Sequence, residues 1–148
     1  MLQPSSAWFP CLHGGLVRRA RPAQRRWLRR HGRLIAVTSI AGQLGRAGDA
    51  LYASAKHGLS GMVRSLAAEF GPLGITSNAI APGGFATEAN SAALADPAIR
   101  AHFASRTPLG RWGEPPEIAG AAVFLASPAA SYVNGHVLVV DGGMSTSM

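Results

Sequence analysis

The sequence predicts an α/β domain in which parallel strands form a sheet flanked by helices. Two observations predict it. Short apolar runs with β-branched residues alternate with longer stretches whose apolar residues recur at helical spacing, in the order strand, helix, strand, helices, strand. Each run also ends in a turn rich in Ser, Gly or Pro, so consecutive strands are joined through helices rather than tight hairpins.

The first strand is expected over residues 33–38, an apolar run with β-branched Ile35 and Val37 of the kind buried on both faces of a parallel sheet. A loop follows with Gly42, Gly45 and Gly48, and Asp49 stands where a helix N-cap belongs. The helix is expected over 50–70. Leu51, Ala55, Leu59, Met62 or Val63, Leu66 and Phe70 form its apolar stripe, and Gly71-Pro72 stops it. A second strand over 75–80 leaves through Ala81-Pro82-Gly83-Gly84, which cannot continue a ladder. Residues 88–105 read as a helical segment. Another helix starts at Pro115-Pro116-Glu117, with Ile118, Ala121, Ala122 and Leu125 along one side. Asn134-Gly135 makes a turn, and the third strand is expected over 136–140, ending in Asp141-Gly142-Gly143.

The chemistry concentrates in residues 34–56, LIAVTSIAGQLGRAGDALYASAK. Tyr52 and Lys56 are four apart, which on one helix puts them on the same face, one turn separated. A free phenol has a pKa of about 10, too high for acid–base work near neutrality, and a nearby ammonium favours the phenolate. Ser39, where the strand runs out, is placed to donate a hydrogen bond to a carbonyl oxygen gathering negative charge. Of the 14 basic residues 13 are Arg, and Lys56 is the single Lys. A compact ammonium suits a role in tuning a neighbour, which a guanidinium does not fill. Taken alone, a Tyr and a Lys at this spacing are more often a solvated pair; the Ser 13 residues upstream and the strand–loop–helix setting reverse that balance.

The net charge of +7 divides unevenly. Residues 1–33 carry eight Arg and no acid, giving +8, and residues 34–148 carry six basic against seven acidic groups, giving −1. The body therefore has no basic surplus for a nucleic acid. No run of 18 or more apolar residues is present, so no membrane-spanning helix is expected. Cys11 is the one cysteine, which permits neither an intrachain disulfide nor a cysteine-based metal site and suits a reducing, cytoplasmic compartment. Residues 1–31 show no sustained period and are broken by Pro4, Pro10, Pro22 and Gly14-Gly15. A transit peptide, a basic arm, a disordered tail and coding sequence read out of frame all fit an Arg-rich, acid-free segment. The expectation is an out-of-frame or disordered leader over 1–31 and a partial catalytic domain over 32–148.

The active-site segment resembles that of the short-chain dehydrogenase/reductase family, in which Ser, Tyr and Lys stand at this spacing. The resemblance continues through IAPGGFATE, residues 80–88, and RTPLGRWGEPPEIAGAAVFLASPAASYVNGHVLVVDGGM, residues 106–144, and is greatest to the gluconate 5-dehydrogenase branch. It implies the C-terminal half of a Rossmann-type parallel sheet, incomplete at the N-terminus. It implies an NAD(P)-dependent oxidoreductase moving a hydride between a secondary alcohol and a ketone, a sugar acid such as gluconate/5-ketogluconate, and a homo-oligomer if intact. Catalytic roles fall on Ser39, Tyr52 and Lys56. Contacts to the nicotinamide half of NAD or NADP fall on Tyr52, Lys56, Pro82, Gly83 and Thr87. Gly84 stands where that branch prefers an aromatic. No glycine-rich pyrophosphate turn precedes the first strand, so the competing expectation is a non-catalytic fragment that alone neither binds the dinucleotide tightly nor turns over substrate.

Overall fold

The computed structural model describes residues 32–146, so the expectation for residues 1–31 lies outside the described residues. The elements run β1 (Arg33–Val37), α1 (Ala50–Phe70), β2 (Thr76–Pro82), α2 (Ser91–Ala95), α3 (Pro97–Ser105), α4 (Ala119–Ala126) and β3 (Val137–Val140), with short 3-10 turns between them. The three strands form one sheet in the order β1-β2-β3 and pair parallel, as the strand–helix alternation predicts. Val37 pairs with Ile80, and Ile80 with Leu138.

Central β2 is buried from Thr76 to Ala81, its polar Thr76, Ser77 and Asn78 included, as a strand covered on both faces is. One sheet face carries Ile35, Ile80, Leu138 and Val140, and it is covered by Ile118 of the 3-10 turn Pro115–Ile118 and by Ala121, Ala122 and the fully buried Leu125 of α4. By alternation the other face of β2 presents Ser77, Ala79 and Ala81, and α1 packs against this strand. Small side chains there let the helix come close.

That closeness corrects the stripe expected on α1. The buried residues are Ser60, Val63 and Ala67, with Lys56 one turn before them, whereas Leu51 is 89% exposed. The helix seats its small residues on the sheet, and its first turn projects past the strand ends. Asp49 occupies the N-cap position, but its carboxylate makes no cap bond; it pairs with Arg46 instead. The helical segment expected over 88–105 is broken at Asp96-Pro97. Pro97 cannot continue α2, and the Asp96 carboxylate accepts from the Ala98 and Ile99 amides at 2.8 and 3.2 Å to start α3.

Two polar side chains, the buried Asn78 and the exposed Asn134, tie β2 to the turn before β3. The Asn78 amide donates to the Val133 carbonyl at 2.8 Å and its oxygen accepts from the His136 amide at 3.0 Å. Asn134 accepts from the Ser77 amide and donates to the Ala67 carbonyl, tying the turn before β3 to both β2 and α1. Among the described residues, no helix is long and apolar enough to cross a membrane.

Candidate active site

The strand ends assemble the site. Continuing the β1–β2 register beyond Val37↔Ile80 sets Ser39 level with Pro82; the ladder reaches Thr38, whose amide donates to the Ile80 carbonyl at 2.8 Å. Ser39 and the Pro82-Gly83 turn thus lie side by side at the carboxyl end of the sheet, where open α/β sheets bind ligands.

Ser39 caps the 3-10 turn Ile40–Gly42. Its Oγ accepts from the Ala41 amide at 3.1 Å, which fixes the oxygen while leaving the hydroxyl hydrogen free to donate. Tyr52 and Lys56 sit on consecutive turns of α1, and the Lys56 Nζ lies 5.7 Å from the Tyr52 ring centroid. That ammonium also donates to the Val37 carbonyl at 3.1 Å, so the helix side chain reaches back to the last residue of β1. Tyr52 is 49% exposed, and among the described residues its Oη has no hydrogen-bond partner. The structure therefore links Lys56 to Tyr52 and to the strand end before Ser39. No hydrogen bond among the described residues joins Ser39 to Tyr52 directly.

Gly83 is demanded by its surroundings. A Cβ there would stand 2.6 Å from the Asp141 Cβ and 2.8 Å from its Cα, so only glycine passes between the ends of β2 and β3. Asp141 is itself anchored, its two carboxylate oxygens accepting from the Gly143 and Ser145 amides at 2.9 and 2.7 Å. Burial pushes its carboxyl up, but the Ser145 and Gly143 hydrogen bonds outweigh that and hold it below the ordinary range. Thr87 opens the turn Glu88–Asn90 without a side-chain cap bond. Gly84 faces the Phe103 and Trp112 rings, whose centroids are 4.7 Å apart; the aromatic surface at this rim comes from those two residues.

Sequence reasoning missed Gly42 and His57. The His57 Nδ1 lies 2.7 Å from the Gly42 carbonyl oxygen, at one wall of a groove of about 540 Å³ bounded by Leu44, Ala53 and Ser54. The signals were present, a glycine in the active-site loop and an imidazole next to Lys56, but neither carries a spacing rule. Ser39, Tyr52 and Lys56 lie outside this groove.

The architecture is a parallel α/β sheet with Ser39, Tyr52 and Lys56 near the carboxyl ends of its strands. A family model described as enoyl-(acyl carrier protein) reductase matches residues 13–145, so the match begins inside the segment set apart above as a leader. Gluconate 5-dehydrogenase of Gluconobacter oxydans (strain 621H) is 41% identical over 120 residues, 81% of this chain and 47% of that protein. The 3-oxoacyl-[acyl-carrier-protein] reductase of Vibrio harveyi is 47% identical over 116 residues, covering 78% of this chain and 47% of its own length. The crystal structure of a gluconate 5-dehydrogenase from Burkholderia cenocepacia J2315 in complex with NADP and tartrate superposes with a TM-score of 0.77 at 41% identity, over 80% of this chain and 46% of that one. The chain belongs to the short-chain dehydrogenase/reductase family. It spans about half the length of the curated relatives it matches.

Proposed function

We propose that this chain carries the catalytic centre of an NAD(P)-dependent oxidoreductase that interconverts a secondary alcohol and a ketone, with a sugar acid of the gluconate/5-ketogluconate kind as substrate. One observation carries the reading. Among the described residues, a half-exposed phenol whose Oη has no hydrogen-bond partner stands over a lysine that the end of β1 holds in place, and Ser39 follows that strand end with its hydroxyl hydrogen undonated.

In the reduction direction, Ser39 donates its free O–H to the ketone oxygen and Tyr52 delivers a proton to the same oxygen as charge develops there. In the reverse direction the phenolate takes that proton from the alcohol. Lys56 supports the phenolate electrostatically. The ammonium has three N–H donors and Val37 takes one, so donors remain for a ribose hydroxyl of NAD or NADP. Pro82, Gly83 and Thr87 would flank the nicotinamide end. When bound, the nicotinamide supplies or accepts the hydride. The sugar-acid assignment rests on the gluconate 5-dehydrogenase relatives, against a comparably similar relative named for a 3-oxoacyl-carrier substrate. A cytoplasmic homo-oligomer acting on a small molecule belongs to the same reading.

The test is turnover by the purified chain, following nicotinamide absorbance with NADH or NADPH and either 5-ketogluconate or a 3-oxoacyl thioester. The reading expects 5-ketogluconate reduction, abolished by Tyr52→Phe. Preference for the thioester would overturn the sugar-acid assignment. Turnover that survives Tyr52→Phe would remove Tyr52 from the chemistry. No turnover with either cofactor would favour the non-catalytic fragment.

A further inference from the structure

We propose that His57 is a positioning residue that seats the Ser39 turn on helix α1, working as a pair with Lys56. The pair brackets Ser39. The Lys56 Nζ holds the Val37 carbonyl, two residues before Ser39, at 3.1 Å. The His57 Nδ1 meets the Gly42 carbonyl, three residues after it, at 2.7 Å. A carbonyl oxygen only accepts, so Nδ1 carries the proton of this bond and the tautomer is set by it.

The turn between these two grips is tied together by its own hydrogen bonds. The Gly42 amide donates to the Ser39 carbonyl at 3.0 Å, and the Gln43 and Leu44 amides both donate to the Ile40 carbonyl, at 2.8 and 2.9 Å. The Ser39 Oγ is fastened to the Ala41 amide within it. Gly42 is buried, and a Cβ on it would lie 3.0 Å from the His57 amide nitrogen, the Lys56 carbonyl carbon and the Lys56 Cβ. The turn therefore rests directly on the α1 backbone at the two residues that grip it. Lys56 alone leaves the segment after Ser39 free to lift; the imidazole closes that side. The distance from Ser39 to Tyr52, one turn before Lys56 on α1, is thereby held through the gripped turn rather than through a direct hydrogen bond between the two side chains.

The importance of that distance rests on the oxidoreductase reading, so the test separates the two. Hydrogen exchange of the Gly42, Gln43 and Leu44 amides is measured by NMR in the full chain and in His57→Leu, His57→Asn and Gly42→Ala. Leucine cannot donate, whereas the asparagine amide nitrogen can stand where Nδ1 stands. Loss of one such hydrogen bond is expected to speed exchange about tenfold in His57→Leu. Gly42→Ala, which wedges the turn off the helix, is expected to do the same. His57→Asn should remain near the parent rate, and the Thr38 amide, within the β1–β2 ladder, should stay unchanged in all three. In the turnover assay His57→Leu should lower kcat about tenfold with KM within about twofold, and His57→Asn should restore it. Exchange unchanged in His57→Leu, or equally fast in His57→Leu and His57→Asn, would overturn the proposal. If His57→Leu fails to fold, His57→Asn and Gly42→Ala decide the question by the same rates. Absence of turnover in the parent chain strikes the oxidoreductase reading alone, because the exchange rates do not depend on it.

Discussion

Replacing Gly83 with alanine tests how the strand ends are locked together. The new methyl would lie 2.6 Å from the Asp141 Cβ, 2.8 Å from its Cα and 3.3 Å from its carbonyl oxygen. Carbon atoms pack at about 3.5–4.0 Å, so the two segments must part by about 1 Å. No flexible side-chain tip can absorb this, because the obstructing atoms are backbone or bonded to it. The Gly83 amide donates to the Val140 carbonyl at 3.0 Å, and a parting of that size breaks the bond. Losing it costs about 1 kcal/mol and the overpacking about 1–3 kcal/mol, for a total of about 2–4 kcal/mol. For a domain of this size each kcal/mol moves the melting midpoint by roughly 4 °C, so Gly83→Ala should lower it by roughly 8–16 °C in a circular-dichroism melt. Gly61→Ala is the control. Gly61 lies inside α1 with nothing within 4 Å of its Cβ position, so alanine should stabilise by about 0.5–1 kcal/mol through helix propensity. A fall under about 3 °C for Gly83→Ala would refute the close-approach argument. A loss for Gly61→Ala would show that another surface packs on that face of the helix.

Two further outcomes are expected. Arg111 holds the Glu117 carboxyl at about 2 through its hydrogen bonds, and Asp141 is also held below the ordinary carboxylate range. Both are lower folded than unfolded, so their stabilisation is complete above about 4.5 and fades as pH falls toward about 2. Melting midpoints should be flat from neutral pH to about 5 and then drop; a midpoint rising into acid would contradict the assignment. Asp96→Ala removes both cap bonds of α3 and should cost about 1 kcal/mol in urea unfolding, while Asp96→Asn should lose only a fraction of that. Equal losses for the two variants would mean that the cap is not what the aspartate supplies.

Much of this molecule is legible in the chain because burial leaves patterns. The runs around Ile35, Ile80 and Val139 do form the parallel strands, but only β2 is buried along its length; β1, expected to be covered on both faces, leaves Leu34 and Val37 exposed because it stands at the edge of the described sheet. Helix α1 spans residues 50–70 as expected, since Gly71-Pro72 is an unambiguous stop. The face it buries was harder to see. Hydrophobicity favours Leu51 and Leu59, but the distance of approach to β2 is decided by small residues, and Ser60 and Ala67 carry no hydrophobic signal. Asp96-Pro97 shows the same limit at short range, where one capping carboxylate and one ring divided a periodic stretch. At the site, Ser39, Tyr52 and Lys56 stand out through residue type and spacing. Gly42 and His57 act through a backbone carbonyl, which has no letter in the sequence.

The contact between Lys56 and Val37 also bears on how far the sheet can grow. Thr38 donates to Ile80 and Gly32 accepts from Thr76, so the even-numbered residues of β1 turn their backbone groups toward β2. The pleat then turns those of Arg33, Ile35 and Val37 outward, to the side where no described strand lies. An outward row of that kind is a template on which any extended segment can add. The Val37 carbonyl, its last rung before Ser39, is already occupied by the ammonium. A strand adding there can zip as far as Ile35 and must then leave the ladder or displace Lys56. Lys56 thereby acts as a doorstop, ending strand addition one rung short of the serine and keeping the space over Ser39 and Tyr52 clear of backbone.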